Sequence, residues 1–109
     1  MKVVALAGVH AYLEDLVHLL YQKEYFGFEE AARRYVVELF DDIKKNLPIR
    51  AHKPAPKYFD RYGKSMKYAV FKKNRHTCWY AFFKTYHSNG EKVYLVRYIT
   101  NNHVAAHLL

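Results

Sequence analysis

Residues 66–100 constrain the fold of this chain more than any other stretch, because they read as three consecutive β-strands. Aromatic and β-branched residues dominate all three segments, as a half-buried pleated surface favours. The predicted strands are residues 66–72, 77–83 and 92–100.

Two polar segments can close the hairpins between these strands. Residues 72–75 lie at the first turn and residues 88–91 at the second. Asn89 and Gly90 suit the positive φ angles that a tight hairpin turn requires. The sequence therefore predicts an antiparallel meander.

Arg97 is the unusual residue of the third strand. Strict alternation would place it on one apolar face with Leu95 and Ile99. A charge in such a place has to be paired or used. We therefore expect Arg97 to be the centre of an ion pair or hydrogen bonds, or to contact a target.

The rest of the chain adds one strand and three helices to the prediction. Residues 1–9 are predicted as a strand, and residues 101–109 as a short helix entered through an Asn cap. Residues 11–25 and 28–46 have apolar residues at helical spacing. Only two residues separate these helices, so they are expected to form an antiparallel hairpin. Their predicted core residues are Leu13, Leu16, Val17 and Leu20, then Ala32, Tyr35, Val36, Leu39, Phe40 and Ile43.

Residues 48–65 are predicted to be a long basic loop. The segment contains all three prolines and interleaves lysine and arginine with Tyr58, Phe59 and Tyr62. Long loops inside a compact domain are uncommon and are often functional. Positive charges among aromatic rings suit phosphate contact and base stacking. The alternative is a stiff, proline-rich connector with a solvated face.

The charge of the chain is strongly asymmetric. Residues 1–43 hold four basic and eight acidic residues, a net charge of −4, whereas residues 44–109 hold fourteen and two, a net charge of +12. This asymmetry indicates a polyanion or an acidic protein as the partner of the C-terminal half. Solubility alone is the other explanation.

The composition also excludes several classes of protein. The length of 109 residues predicts one domain, residues 1–109, with a single core. The lone Cys78 excludes an intrachain disulfide and leaves too few thiols for a zinc cluster, so a cytoplasmic location is expected. Cys78 itself is expected to be a buried, inert thiol.

No apolar run is long enough for a membrane span. We expect no metal, cofactor or membrane partner.

The predicted order of elements resembles the RelE/ParE superfamily of bacterial toxins. The resemblance covers nearly the whole chain and is strongest in the closing strands. The segments that carry it are Tyr68-Ala69-Val70-Phe71, Arg75, Thr77-Cys78-Trp79-Tyr80-Ala81-Phe82-Phe83 and Val93-Tyr94-Leu95-Val96-Arg97-Tyr98-Ile99. It implies an α+β domain in which the helical hairpin packs on one face of a four-stranded antiparallel sheet. The opposite face, the basic loop and the tail would form the working surface.

The resemblance also implies a function. The chain would be the toxin of a type II toxin–antitoxin (plasmid stabilisation) system, neutralised by a co-expressed acidic antitoxin that folds across the basic surface. RelE-like members cleave messenger RNA in the ribosome without a metal, and ParE-like members bind DNA gyrase. The RelE-like arginine positions fall here at about Thr77 and Asn102, and the terminal tyrosine position at about Leu108. Arg97 lies where ParE-like members have an arginine, and the histidine that follows it is here Thr100.

Metal-free RNA cleavage needs a base, an acid and cations on the scissile phosphate. We predict Arg75 as the phosphate ligand, and His103 and His76 as acid or base, because imidazole titrates near neutral pH. Both histidines could instead make only structural hydrogen bonds, and Arg75 could bind an antitoxin carboxylate. The residues predicted to contact nucleic acid are Lys53, Lys57, Arg61, Lys64, Lys67, Lys72 and Lys73.

Two other functions stay open from the sequence. One is a gyrase-binding inhibitor without nuclease activity, and the other is a non-toxic basic module that binds nucleic acid. The partners would be the antitoxin and either the ribosome with its messenger RNA or gyrase. A homodimer is also left open.

Overall fold

The computed structural model describes residues 1–23 and 26–109, which form an α+β fold with a five-stranded mixed sheet. The elements are β1 (Lys2–Ala5), α1 (Ala7–Gln22), α2 (Glu29–Asn46), β2 (Lys53–Pro54), β3 (Lys67–Lys72), β4 (Cys78–Ser88), β5 (Glu91–Asn101) and α3 (Asn102–Ala105). Short 3₁₀ helices cover Leu47–Ile49, Lys57–Tyr62 and Ala106–Leu108. No helix in the described part of the chain is long and apolar enough to cross a membrane.

The sheet differs from the expected four-stranded antiparallel one. Its strand order is β1-β5-β4-β3-β2, and β1 runs parallel to β5. The fifth strand, β2, lies within the segment predicted to be a loop and pairs antiparallel with β3. Pro54 is tolerated there because β2 is an edge strand. The expected β3–β4–β5 meander is confirmed.

The first strand is shorter than predicted. It ends at Ala5, and α1 begins at Ala7 within the stretch predicted to be strand. A short apolar run does not distinguish a strand from the start of a helix, so the sequence does not locate the boundary between β1 and α1. The predicted end of the first helix, Tyr25, lies outside the described residues. The second helix begins at Glu29, one residue later than predicted.

The two long helices pack on one face of the sheet. Most of their predicted core residues are buried, and Leu20, Tyr35 and Phe40 are half-buried. Trp79 of β4 donates its indole N–H to the Tyr35 hydroxyl at 2.9 Å, which satisfies a polar group beneath α2. The sheet residues of this core are Ala69, Phe71, Trp79, Ala81, Phe83, Tyr94, Val96 and Ile99.

The opposite face of the sheet, here called the second face, is also covered. It carries Tyr68, Tyr80 and Phe82, and the buried Phe59 packs on it from the segment Lys57–Tyr62. Ala105 of α3 covers it from the C-terminal side. The apolar residues of this face therefore bury one another, and the basic segment and the tail, rather than the sheet itself, are presented to solvent here.

The β4–β5 hairpin contains the expected tight turn and an unexpected bulge. Asn89 and Gly90 have φ angles of 53° and 76°, as the sequence predicts. Further along, Phe82 pairs with Tyr98 but Phe83 pairs with Val96. Residue 97 is therefore the extra residue of a β-bulge.

This bulge corrects the expected position of Arg97. Arg97 does not share a face with Ile99, because Ile99 packs beneath the helices. Arg97 instead lies on the second face, where its Nε donates to the Tyr62 carbonyl at 3.0 Å. The chain passes closely over it at Gly63, which has a φ of +156°, and a Cβ built there would be 2.7 Å from Arg97 Nε.

This close approach makes Gly63 sensitive to substitution. We expect Gly63→Ala to destabilise the protein by about 1–3 kcal/mol, because alanine disfavours this backbone conformation and displaces Arg97. Gly8→Ala is the control, since a Cβ at this helical position meets no atom within 4 Å. Gly8→Ala should be neutral or stabilise by up to about 1 kcal/mol. Urea denaturation measures both, and equal midpoints would contradict the packing described.

Candidate functional site

The β3–β4 turn is a compact structure at the end of the sheet where β3 finishes. Asn74 Oδ1 accepts hydrogen bonds from the backbone N–H groups of His76 and Thr77, both at 2.9 Å. The N–H groups of Lys73 and Asn74 donate to the Thr77 carbonyl at 3.0 and 3.2 Å. These bonds fix the backbone of Arg75, whose side chain is exposed.

Helix α3 begins at the same end of the sheet, directly after β5. Asn101 is its N-cap, as the sequence predicts, and its side chain accepts from the Val104 N–H at 3.1 Å. Ala105 is buried against the second face, and Leu108 packs on the same cluster. The tail is therefore held on the sheet.

Asn102 joins the tail to the turn. Its Oδ1 accepts from the Cys78 N–H at 3.0 Å, and its Nδ2 donates to the His76 carbonyl at 2.9 Å. Next to it, His103 Nε2 and Thr77 Oγ1 are 3.0 Å apart and share a hydrogen bond whose direction depends on the imidazole tautomer. One amide side chain and one imidazole thus connect elements that are 24 to 26 residues apart.

We call Arg75, His76, Thr77, Asn102 and His103 the turn–tail site. The structure brings all three predicted catalytic residues to it, and their side chains are exposed. Arg75 has no ion-pair or side-chain hydrogen-bond partner among the residues that the structure describes. Because a hydroxyl both donates and accepts, Thr77 can hold the His103 ring in its neutral and its protonated form. The arrangement offers a guanidinium for an anion and two imidazoles for proton transfer.

The predicted lysines do not all converge on this site. Lys72 does, because it ends β3 opposite Cys78 and so lies on the second face beside the turn. Lys73 does not, since its Nζ lies 4.9 Å from the centre of the Tyr35 ring of α2. Lys67 pairs with Phe83 and lies on the helix-facing side, at the far end of β3.

The other predicted cations lie on and around the segment Lys57–Tyr62. Lys57 and Arg61 are within it and Lys64 follows it. Lys53 lies beside Tyr68 on the second-face side of β2. All four are exposed. They form a second group of cations, separate in sequence from the turn–tail site.

Two of the acidic residues of the helical hairpin have arginine partners. Arg33 of α2 donates to both carboxylate oxygens of Glu14 in α1, at 2.9 and 3.1 Å, and these hydrogen bonds lower the pKa of Glu14. Arg50 lies 3.6 Å from Asp42. By contrast, no lysine or arginine between residues 53 and 97 forms an ion pair within the described ranges.

Two tyrosines of the second face are unsuited to act as bases. Burial, followed by the Cys78 thiol at 3.5 Å, raises the pKa of Tyr80 to about 12. Burial and its neighbour Tyr62 raise the pKa of Tyr98 to about 12. Both phenols therefore stay protonated at neutral pH. Cys78 is half-buried against the second-face cluster.

The sequence did not identify the roles of Thr77 and Asn102. The resemblance marks both only as positions where related toxins have arginine. Asn101 gave a local signal, because an asparagine after a strand is typical of a helix N-cap. The contacts of Asn102 and Thr77 reach across the sheet, so no local pattern could have revealed them.

Comparisons with protein-family models, with curated proteins and with solved structures find no match for this chain. Within the described residues, no group of three or more His, Cys, Asp or Glu side chains could hold a metal ion.

The double contact of Asn102 can be tested by hydrogen exchange. We expect Asn102→Ala to lower the free energy of unfolding by about 1 kcal/mol, because two hydrogen bonds are lost at a half-buried position. The Cys78 amide should exchange faster in this variant, as measured by NMR. Asn46→Ala is the control, since it removes a side-chain hydrogen bond to Asp42 within α2. Unchanged exchange at Cys78 would contradict the coupling.

Proposed function

We propose that the chain is the toxin of a type II toxin–antitoxin pair and acts as a metal-independent, ribosome-dependent messenger RNA endoribonuclease. The observation that carries this proposal is the pairing of His103 with Thr77, at 3.0 Å, directly beside the turn that presents Arg75. An exposed imidazole held beside the turn of Arg75, whose guanidinium has no partner among the residues described, suits acid–base chemistry on a phosphodiester.

The order of elements supports the same proposal. The chain runs through a strand, a helical hairpin, a basic segment, a three-stranded meander and a short tail. This is the order on which the resemblance to the RelE/ParE superfamily rests. Because one fold can serve several functions, the site carries more weight than the fold.

The chemistry can be assigned to residues of the turn–tail site. One of the two imidazoles, neutral, takes the proton of a ribose 2′-hydroxyl, whose oxygen attacks the adjacent phosphorus. The P–O5′ bond breaks, and the other imidazole, protonated, donates a proton to the leaving 5′-oxygen. The products are a 2′,3′-cyclic phosphate and a 5′-hydroxyl. Arg75 stabilises the charge that develops on the phosphate oxygens.

The charge distribution supports the proposed antitoxin. An acidic segment would pair with the cations that have no partner within the described part of the chain. Such a segment would be disordered alone and would fold on binding, as highly charged segments commonly do. We propose that it covers the turn–tail site and so keeps the toxin inactive in the cytoplasm.

Gyrase binding is the second candidate function. It depends on Arg97, whose position in the last strand resembles that of the ParE-like arginine. Arg97 Nε is bound to the Tyr62 carbonyl beneath Gly63. This contact supports a structural role for Arg97, whereas Arg75 and His103 are exposed.

The proposal is tested by inducing the chain in bacteria and mapping transcript ends. We expect growth arrest and cut messages, and expect His103→Ala and Arg75→Ala each to lower cleavage by about a hundredfold or more. Their matched controls are His107→Ala and Arg34→Ala, because both side chains are exposed and lie outside the site. Both controls should arrest growth like the original chain.

Three results would contradict the nuclease. Intact transcripts with impaired DNA supercoiling would identify a gyrase inhibitor. Unimpaired growth would favour the non-toxic binding module. Equal cleavage by the His103→Ala and His107→Ala variants would remove His103 from the chemistry.

A further inference from the structure

The segment Lys57–Tyr62 has a geometry that sorts its side chains into rows. It is a 3₁₀ helix of six residues, and with three residues per turn, side chains three apart lie above one another. Phe59 and Tyr62 form one row, and Tyr58 and Arg61 form the next. The helix thus separates two aromatic residues from a third, although all three looked alike in the sequence.

The row of Phe59 and Tyr62 faces the sheet. Phe59 is 1% exposed and stacks on Phe82 with ring centres 4.3 Å apart. Tyr62 stacks on Tyr98 with ring centres 3.8 Å apart and an angle of 5° between the planes. Phe59 is therefore not available to nucleobases, and Tyr62 already stacks within the protein, which corrects part of the base-stacking expectation. They do fix the segment rigidly on the sheet.

The row of Tyr58 and Arg61 faces solvent. Tyr58 is 40% exposed, and the Arg61 guanidinium carbon lies 3.9 Å above the centre of its ring. Arg61 Nε donates to the Tyr58 carbonyl at 3.1 Å, which ties the guanidinium to the backbone of the same turn of helix. Neither Nη atom has a hydrogen-bond partner in the part of the chain that the structure describes.

We infer that the Arg61–Tyr58 stack binds one unpaired nucleotide of single-stranded RNA. The outer face of the guanidinium can stack on a base, as guanidinium planes do in RNA recognition. The two Nη groups can donate to a neighbouring phosphate. Lys57 and Lys64, at the two ends of the segment, add sequence-independent phosphate contacts. RNA as the ligand rests on the proposed function.

The geometry favours an unpaired strand over a duplex. A base within a duplex has both faces covered by its neighbours, so it presents no surface to a guanidinium plane. A base in a single strand can be splayed out and stacked. A site that used charge alone would not need the tyrosine beneath Arg61 or the Nε hydrogen bond that orients it.

Fluorescence anisotropy of the purified chain tests this inference. The probe is a labelled 2′-O-methyl oligoadenylate, which cannot be cleaved through its 2′-oxygen, and the reference is an abasic phosphodiester strand of equal length. We expect Arg61→Lys and Tyr58→Leu each to weaken oligoadenylate binding by about five- to tenfold, because a base–side chain stack is lost. Arg61→Lys should weaken binding of the abasic strand much less, since lysine keeps the charge and loses only part of the phosphate contact.

The matched controls are Arg34→Lys and Tyr21→Leu, which make the same changes at exposed positions of the helical hairpin. Both should bind oligoadenylate like the original chain, and thermal melts should confirm that every variant is folded. The inference is overturned if Arg61→Lys binds oligoadenylate normally, if both strands bind equally well, or if only duplex DNA binds.

The outcome of this experiment can be distinguished from the outcome for the proposed function. If the chain arrests growth and cuts messages, but the original chain and the Arg61→Lys variant bind oligoadenylate equally well, only the nucleotide site is overturned. A chain that is harmless in bacteria, but needs Arg61 and Tyr58 for oligoadenylate, keeps the site and loses the nuclease.

Discussion

The packing of the buried Phe59 and the half-buried Tyr62 on the second face of the sheet is the interaction on which the rest of the structure depends. These two rings hold a proline-rich, basic segment that would otherwise be a loose connector. Their packing leaves Tyr58 and Arg61 facing solvent, because a 3₁₀ helix has three residues per turn. It also brings the Tyr62 carbonyl onto Arg97, which requires a glycine at residue 63. A fixed segment can present cations at defined positions, whereas a mobile loop cannot.

A second consequence appears at the end of the sheet where the turn and the tail meet. The tail packs on the same aromatic cluster through Ala105, and Asn102 binds the turn with both atoms of its amide. His103 reaches Thr77 only because the tail is held in this position. The proposed chemistry therefore depends on this packing as well as on the histidine itself, and it would be lost if the tail moved off the sheet.

Local patterns predicted much of the fold. Helical periodicity, the alternating strands and the Asn89–Gly90 turn all led to elements that the structure contains. The parallel pairing of β1 with β5, the short β2 and the bulge at Arg97 were missed, since each depends on pairing between distant residues. The catalytic candidates could be selected by residue type. Their contacts with Asn102 and Thr77 could not, because those contacts form only when the sheet is assembled.

The central claim is that the basic segment is fixed on the second face. Hydrogen–deuterium exchange of the amides of Ala55, Phe59 and Gly63, which donate to Met66, Pro56 and Asp60 respectively, tests it most directly. We expect these amides to be protected in the original chain and to exchange much faster in Phe59→Ala, while Ala81 in the centre of the sheet stays protected in both. Exchange of all three amides in the original chain at the rate of an unfolded peptide would contradict the account.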